Sequence, residues 1–302
     1  MRRLSVTVLA GGPSAERAVS LESGRAVAAA LSKRGHEVYL SDISPDDLSA
    51  LDHKADIVFP ALHGTFGEDG AVQRIMERRG IRFVGSGSHA SALAIDKIAT
   101  KQQATAAGIV TPHCEVVARE QMPHGLPPWS GPVVVKPIRE GSSVLTSIVL
   151  KEADYAAAVS EVIGKHGRAM IEDYVAGEEI TVGLLGGEPL PAICIRPKQR
   201  FYDYKAKYLD DRTEYLFDTN HPPGVLEQAR AQSKQVFELL GCRHLARADW
   251  IVDRDNRLWF LEINTLPGFT SHSLVPMAAA KAGLSFEMLV EKLVELAWEE
   301  RA

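Results

Sequence analysis

From Leu4 to Ala10 the chain is apolar and β-branched, and Gly11-Gly12-Pro13-Ser14 ends the run. That is the pattern of a buried strand running into a turn. Apolar positions then recur at helical spacing, which predicts a helix from about Ser20 to Arg34 with Ser20 as N-cap and Glu22 in the first turn. Short strands are expected at Glu37–Ser41, Asp56–Leu62 and Ile81–Val84, and a helix at Glu68–Arg79 closed by Gly80. Alternation of this kind implies a parallel sheet with right-handed crossovers, so residues 1–90 read as a small doubly wound α/β domain.

One long helix is predicted from Ser88 to Ala107, ending at Gly108. Beyond it the texture changes to antiparallel α+β. Val133–Lys136 reads as a short buried strand, Glu140-Gly141-Ser142-Ser143 as a turn and Ala153–Lys165 as a helix. Strands are expected at Met170–Val175, Glu179–Leu185 and Leu190–Ile195, the last two joined through Gly186-Gly187. Residues 198–221 show neither period. A polar stretch of that length in an enzyme-sized chain suggests a functional lid, and Phe201, Tyr202, Tyr204 and Tyr208 speak against disorder. Gly224–Leu240 is predicted as a helix, Leu245 to Asn264 as a hairpin, and Ser285 to about Glu299 as a final amphipathic helix.

Composition narrows the function classes. Across 302 residues, 45% are hydrophobic and 24% charged, which is ordinary for a globular protein, and the net charge is −5. An acidic balance disfavours nucleic acid as a partner. No apolar run is long enough to cross a bilayer, so no membrane is expected. Met1-Arg2-Arg3 and the apolar run behind it read as a first strand, not a signal peptide. Cys114, Cys194 and Cys242 are odd in number, widely spaced and without a Cys-x-x-Cys, which argues against a disulfide framework and a structural zinc site and suggests reduced, mostly buried thiols in a cytoplasmic protein.

The strongest chemical signal lies in the hairpin Arg247-Ala248-Asp249 … Glu262-Ile263-Asn264. If Asp253 and Leu258 close a four-residue loop, Asp249 faces Glu262 and Arg247 faces Asn264, all on one face of the sheet. Two opposed carboxylates repel unless something positive bridges them. Either Arg247 neutralises both, or they hold a hard divalent cation with the amide oxygen of Asn264, a ligand set suited to Mg²⁺. Lys136, ending a buried strand, and Lys97, in a helix, offer cations for phosphates, and the Gly-Ser-Ser turn offers backbone N–H groups. No P-loop motif and no dinucleotide fingerprint is present.

Several motifs in order resemble the D-alanine–D-alanine ligases of the ATP-grasp group. They are Gly11-Gly12-Pro13-Ser14-Ala15-Glu16-Arg17, Ala61-Leu62-His63-Gly64 with Gly67-Glu68-Asp69-Gly70, and Lys136-Pro137 with Arg139-Glu140-Gly141-Ser142-Ser143. Tyr202-Asp203-Tyr204-Lys205-Ala206-Lys207-Tyr208, Glu262-Ile263-Asn264-Thr265-Leu266-Pro267-Gly268-Phe269-Thr270 and Ser273-Leu274 complete the set. The resemblance implies an N-terminal substrate-binding domain over 1–90, a central ATP-grasp lobe over 91–178, and a C-terminal lobe over 179–302 that carries the lid and a metal site. It implies two D-alanine molecules and ATP as substrates, two Mg²⁺ or Mn²⁺ ions, an acyl-phosphate intermediate, a role in peptidoglycan precursor synthesis, and a homodimer. The alternatives are a ligase joining D-alanine to another D-amino or D-hydroxy acid, and a non-catalytic nucleotide-binding regulator.

Residue by residue, the resemblance implies that Lys97, Lys136 and Ser143 meet ATP phosphates and that Lys207 reaches the transferred one. Glu172, Tyr174 and Val175 would line the adenine pocket, and Glu179 would take the ribose. Asp249, Glu262 and Asn264 would hold metal. Glu16 would hold the ammonium of the first D-alanine, with Ser142 and Tyr208 bridging to it and His63 beside that substrate. Arg247 and the Gly268 backbone would stabilise an oxyanion, and Ser273 with Leu274 would hold the second substrate's carboxylate. Three of these residues have plainer alternatives: a turn histidine for His63, lid packing for Tyr208, and a helix-start carboxylate for Glu16. The chain departs from the family at Leu145, where a second glycine is usual. Either that position needs a left-handed backbone, which leucine would strain, or, as the apolar run from Val144 to Leu150 favours, it starts a strand and gives Leu145 an ordinary extended backbone.

Overall fold

The computed structural model describes residues 2–142, 144–196 and 213–300. Their strands form three sheets, in the mixed α/β and α+β architecture expected from the sequence. In the first, β1 (Ser5–Ala10) lies between β2 (Glu37–Asp42) and β3 (Ile57–Pro60), all parallel. Helix α1 (Arg17–Lys33) packs Val27 and Leu31 on one face, and α2 (Ala71–Arg78) packs Val72 and Met76 on the other. Coverage on both faces explains why β1 is buried at every position from Val6 to Ala10, Thr7 included, instead of at alternate ones.

Local boundaries differ from expectation for identifiable reasons. Helix α1 begins at Arg17, because Ser20 spends its hydroxyl on tertiary contacts: it accepts from Gly11 N at 2.9 Å and donates to Ala61 O at 2.7 Å. Glu22 therefore lies beyond the first turn. Helix α2 begins at Ala71, since Asp69 accepts from the backbone of Phe66 and Ala71 and makes 66–71 a turn. The expected strand at 81–84 is one bridge between Val58 and Phe83, after which Gly85 (φ 102°) turns the chain away.

The single helix predicted over 88–107 is two: α3 (Ser88–Ile95) and α4 (Lys97–Ala106). Asp96 breaks it with an extended backbone and accepts a bond from Ala99 N at 3.0 Å, the N-cap arrangement short acidic side chains favour. The break is used from outside as well. Arg139 pairs with Asp96 at 2.9 Å, and Lys97 N donates to Ile138 O at 3.2 Å.

The second sheet is antiparallel, ordered β4-β7-β5-β6 from β4 (Cys114–Ala118), β5 (Val133–Lys136), β6 (Ser147–Val149) and β7 (Arg168–Asp173). Helix α5 (Glu152–His166) buries Tyr155, Val159, Val162 and Ile163 against it and ends at Gly167 (φ 73°). Strand β4 was not expected, because Cys114-Glu115-Val116-Val117-Ala118 alternates only weakly.

The third sheet is ordered β11-β10-β8-β12-β13. Its strands are β8 (Gly177–Leu185), β9 (Glu188–Pro189), β10 (Ile193–Arg196), β11 (Glu214–Leu216), β12 (Leu245–Asp253) and β13 (Leu258–Asn264), with β9 pairing β8 across Gly186-Gly187. Strand β11 falls inside the stretch expected to be a lid. Helix α6 (Pro223–Leu239) packs Val225, Ala229, Val236 and Phe237 against Trp250 and Phe260, and Trp250 Nε1 donates to Ser233 Oγ at 2.9 Å. A helix not foreseen, α7 (Leu274–Lys281), precedes α8 (Phe286–Glu299). Leu289, Val290, Leu293 and Val294 of α8 join Val27 and Leu31 of α1 in one core, which ties the end of the chain to the first sheet. No helix among the described residues is long and apolar enough to cross a membrane.

Candidate active site

The β12–β13 hairpin pairs Asp249 with Glu262 and Arg247 with Asn264, as the sequence predicts. The turn is a different one. Asp253 N donates to Arg257 O, so the loop is one residue tighter than assumed, and Asn256 sits at φ 58° as short hairpins require. From Trp250 outward the pairing is shifted, Trp250 opposite Phe260, and a β-bulge between Asp249 and Trp250 restores the register at the acidic pair. The bulge lets Phe260 and Ile263 both face the α6 core while Glu262 and Asn264 face a cleft.

Each carboxylate of the pair has its own cation. Arg247 grips Asp249 with Nη2–Oδ2 at 2.7 Å and Nε–Oδ1 at 2.9 Å. Thr181, directly opposite on β8, donates to Asp249 at 2.6 Å. Glu262 pairs with Lys97 at 3.1 Å, and Lys97 also donates to Glu140 O at 2.7 Å. Asn264 Oδ1 accepts from Leu266 N. Thr181 was missed from the sequence, although its strand parity with Asp249 marks it.

Behind Lys97 lies a buried ionic group. Glu172 on β7 pairs with Lys136 at 2.7 Å and with Lys101, which also contacts Thr111. Lys101 is 3% exposed, one helical turn from Lys97; that i, i+4 spacing was the available signal. Burial would raise Glu172, but the ammonium groups of Lys136 and Lys101 overcome it and hold the carboxyl below its usual range. Burial lowers Lys101 despite Glu172, whereas for Lys136 the charges of Glu172 and Glu262 overcome burial and raise it. Two ammonium groups share one carboxylate here, which leaves positive charge beside the cleft for an anion.

The cleft gathers Glu16, His63, Lys97, Ser142, Arg247, Glu262, Asn264 and Gly268 from all three sheets and their connections. Glu16 is buried at the start of α1 yet makes no side-chain cap there; its carboxylate accepts from Ser142 Oγ, 126 residues on. Glu16 thus stands at the head of α1, where the helix dipole favours a carboxylate, and also reaches the loop of the second sheet. His63 Nδ1 lies 3.4 Å from buried Glu68, a residue the sequence motif contained but the site assignment omitted. His63 Nε2 is buried with no hydrogen-bond partner among the described residues, an unsatisfied polar atom facing the cleft. A Cβ at Gly268 would stand 2.8 Å from Ser273 Oγ and 3.7 Å from the His63 ring, so the chain here passes tightly between them. Ser273 accepts from Thr270 N at 2.9 Å, and Leu274 is buried at the start of α7.

Other expected residues stand outside this cleft. Tyr174 is exposed just beyond β7, Val175 follows it, and Glu179 lies on β8. Ser143, Lys207 and Tyr208 lie outside the described residues, as does most of the expected lid over 198–221. Leu145 is not extended: its φ is 53°, Ser142 is at 50°, and β6 starts only at Ser147. Ser142 and Leu145 both adopt the left-handed backbone a glycine would favour, and the Leu145 side chain is held against the second-sheet core.

Comparison with known proteins gives the family of the chain. A family model described as D-ala D-ala ligase C-terminus matches residues 105–295, and one described as D-ala D-ala ligase N-terminus matches residues 46–86. The chain is 43% identical over 296 residues to a D-alanine–D-alanine ligase of Syntrophotalea carbinolica, covering 97% of this chain and 96% of that protein. It is 43% identical over 303 residues to that of Chromohalobacter salexigens, covering 96% and 93%. Among solved structures, the D-alanine–D-alanine ligase of Bacillus anthracis complexed with ATP superposes with a TM-score of 0.82 at 29% identity, covering 97% of each chain. The VanG D-Ala:D-Ser ligase of Enterococcus faecalis superposes with a TM-score of 0.84 at 26% identity, covering 98% of this chain and 100% of that one.

Proposed function

The chain belongs to the D-alanine–D-alanine ligase family, and from that premise we propose how its own residues carry out the reaction. It is an enzyme that uses ATP to join two D-alanine molecules for peptidoglycan synthesis. The carboxylate of the first D-alanine attacks the γ-phosphorus of ATP and displaces ADP, and the amine of the second attacks the resulting acyl phosphate and releases phosphate.

In our reading, Glu16 receives the ammonium of the first D-alanine, and Ser142 fixes the rotamer of Glu16 from the opposite lobe. The unsatisfied His63 Nε2 meets the same substrate. Lys97 and Lys136 take phosphate oxygens, their present carboxylate partners being exchanged for the nucleotide's charge. Arg247 and the Gly268 backbone stabilise the tetrahedral oxyanion, a task for donors already in place. Ser273 and the start of α7 receive the second D-alanine's carboxylate. Glu172, Tyr174, Val175 and Glu179 serve the adenosine, and Ser143, Lys207 and Tyr208 close over the phosphates.

The donor set of Asp249, Glu262 and Asn264 fits hard divalent cations. All three offer oxygen, they sit on one face of one hairpin, and each carboxylate is neutralised by a cation it can release. We assign Mg²⁺ or Mn²⁺ to them; such ions offset charge on the transferring phosphoryl group. We further assign the enzyme to the cytoplasm, as a homodimer, with its three cysteines free.

The convergence of Glu16, Ser142, His63, Lys97 and Glu262 on one cleft carries this reading. The test is ADP release measured with and without D-alanine, with mass spectrometry of the product across a panel of D-amino and D-hydroxy acids. D-alanine-dependent turnover yielding the dipeptide is expected. Turnover indifferent to D-alanine would overturn the reading, and a preferred D-serine or D-hydroxy acid product would move the enzyme to the neighbouring specificity.

A further inference from the structure

On the other face of the third sheet, away from Asp249, three side chains capable of binding metal converge: Glu178 of β8, Cys194 of β10, and His221 in the turn before α6. Cys194 is fully buried, opposite Ile180 in the strand pairing, and His221 is brought in as the chain returns from β11. One ligand atom from each lies within 4.8 Å of the other two. His221 Nε2 is buried and only 2.9 Å from Glu178 Oε2, yet among the described residues it makes no hydrogen bond. A close contact between a ring nitrogen and a carboxylate oxygen, without a proton aligned between them, is the arrangement that a cation between them would satisfy.

We propose that Glu178, Cys194 and His221 form a second metal site, separate from the catalytic cleft, for a borderline-soft divalent ion of the Zn²⁺ class. A thiolate, an imidazole and a carboxylate make a ligand set that Mg²⁺ avoids and Zn²⁺ takes, with a fourth position left for water. Bond lengths of about 2.0–2.3 Å at the tetrahedral angle place ligand atoms about 3.3–3.7 Å apart. The carboxylate and imidazole, now 2.9 Å apart, must therefore part slightly to admit the ion. Arg196 holds the other carboxylate oxygen of Glu178 at 2.7 Å and so aims Oε2 at the site, the outer support that metal-binding carboxylates use. Burial and the Glu178 charge push the Cys194 thiol up to about 11. Direct coordination still deprotonates it, because the ion's charge outweighs both. The bound ion would join β8, β10 and the start of α6 into one unit, next to Glu179.

Co²⁺ is the probe, added in one equivalent to the full chain without nucleotide or Mg²⁺. A thiolate-to-cobalt charge-transfer band is expected, displaced by Zn²⁺, and present unchanged in the Cys114→Ala plus Cys242→Ala variant. His221→Gln, at a partly exposed turn where folding is not at stake, should lose the band and retain less than about a tenth of the Zn²⁺ that the parent keeps through desalting. Cys194→Ala should behave the same way. An absent band in the parent chain overturns the proposal, as does a band or Zn²⁺ retention that survives His221→Gln.

Discussion

Leu145 allows a sharp test, because its backbone and its side chain pull in opposite directions. A left-handed backbone costs a residue with a Cβ about 1–2 kcal/mol, and Leu145 at φ 53° bears that cost. Its half-buried side chain returns about 1 kcal/mol of apolar contact with the second-sheet core, roughly half the value of a fully buried leucine. Leu145→Ala removes the contact and keeps the strain, so it should destabilise by about 1 kcal/mol. Leu145→Gly removes both but gives the unfolded chain about 0.5–1 kcal/mol more entropy to lose. The glycine substitution should therefore be the more stable of the two by about 0.5 kcal/mol or slightly more, the reverse of the usual order of alanine and glycine. Urea midpoints at unchanged slope measure the difference. If Leu145→Ala proves more stable than Leu145→Gly, the strain argument is wrong. A looser turn beside Ser142 should also raise the KM for ATP by about two- to fivefold in Leu145→Gly, since about 0.5–1 kcal/mol of ordering moves from folding to binding.

Four further outcomes follow from the site. Glu262→Gln removes one charge from the acidic pair and should abolish turnover at saturating Mg²⁺ while leaving the circular dichroism spectrum unchanged; normal turnover would remove Glu262 from the metal site. Glu16→Gln should raise the KM of the first D-alanine about tenfold or more and leave the KM of ATP nearly unchanged, resolved by steady-state kinetics at both amino-acid sites. Lys101→Met lets Glu172 draw fully on Lys136, so the KM of ATP should rise more than that of D-alanine, and Lys101→Arg should restore part of it. Glu172 has its pKa depressed in the folded state, so its stabilising effect is complete above the unfolded value near ~4.3 and is lost as pH falls through the folded value. Glu172→Gln should accordingly show a flatter loss of urea midpoint on acidification below about pH 4.3.

The acidic pair was legible because strand parity and one assumed turn suffice to place Asp249 opposite Glu262. The turn was wrong by one residue and the bulge cancelled the error, so the correct pairing rested on two features the sequence does not display. Motif order pointed to residues that line the cleft, but not to those that stand behind them. Thr181 and Lys101 act through contacts between elements far apart in sequence, and only strand parity and the i, i+4 spacing from Lys97 hint at them; Glu68 stood inside the Gly67-Glu68-Asp69-Gly70 motif, five residues from His63. The break at Asp96 was hidden because the apolar rhythm runs through it. An aspartate in mid-helix and an aspartate at an N-cap look alike until something such as Arg139 docks on it. At Leu145 the β-branched composition pointed to a strand, and the turn prevailed because the Gly141-Ser142 stretch had to reach Glu16.

That break at Asp96 has a mechanical consequence. The span from Ile138 to Ser142 is seated on two abutments: at one end Asp96, Lys97 and the first turn of α4, at the other Glu16 at the head of α1. A span fixed at both ends cannot swing like a flap about one hinge. It can only travel as a beam, carrying α4 with it, or come free at one bearing. The Ser142–Glu16 contact borders the cleft, so it is the bearing that must lift for a substrate to pass. Admission of the first substrate and escape of the finished product would then share one gate, and the chemistry between them would run only while that gate is seated.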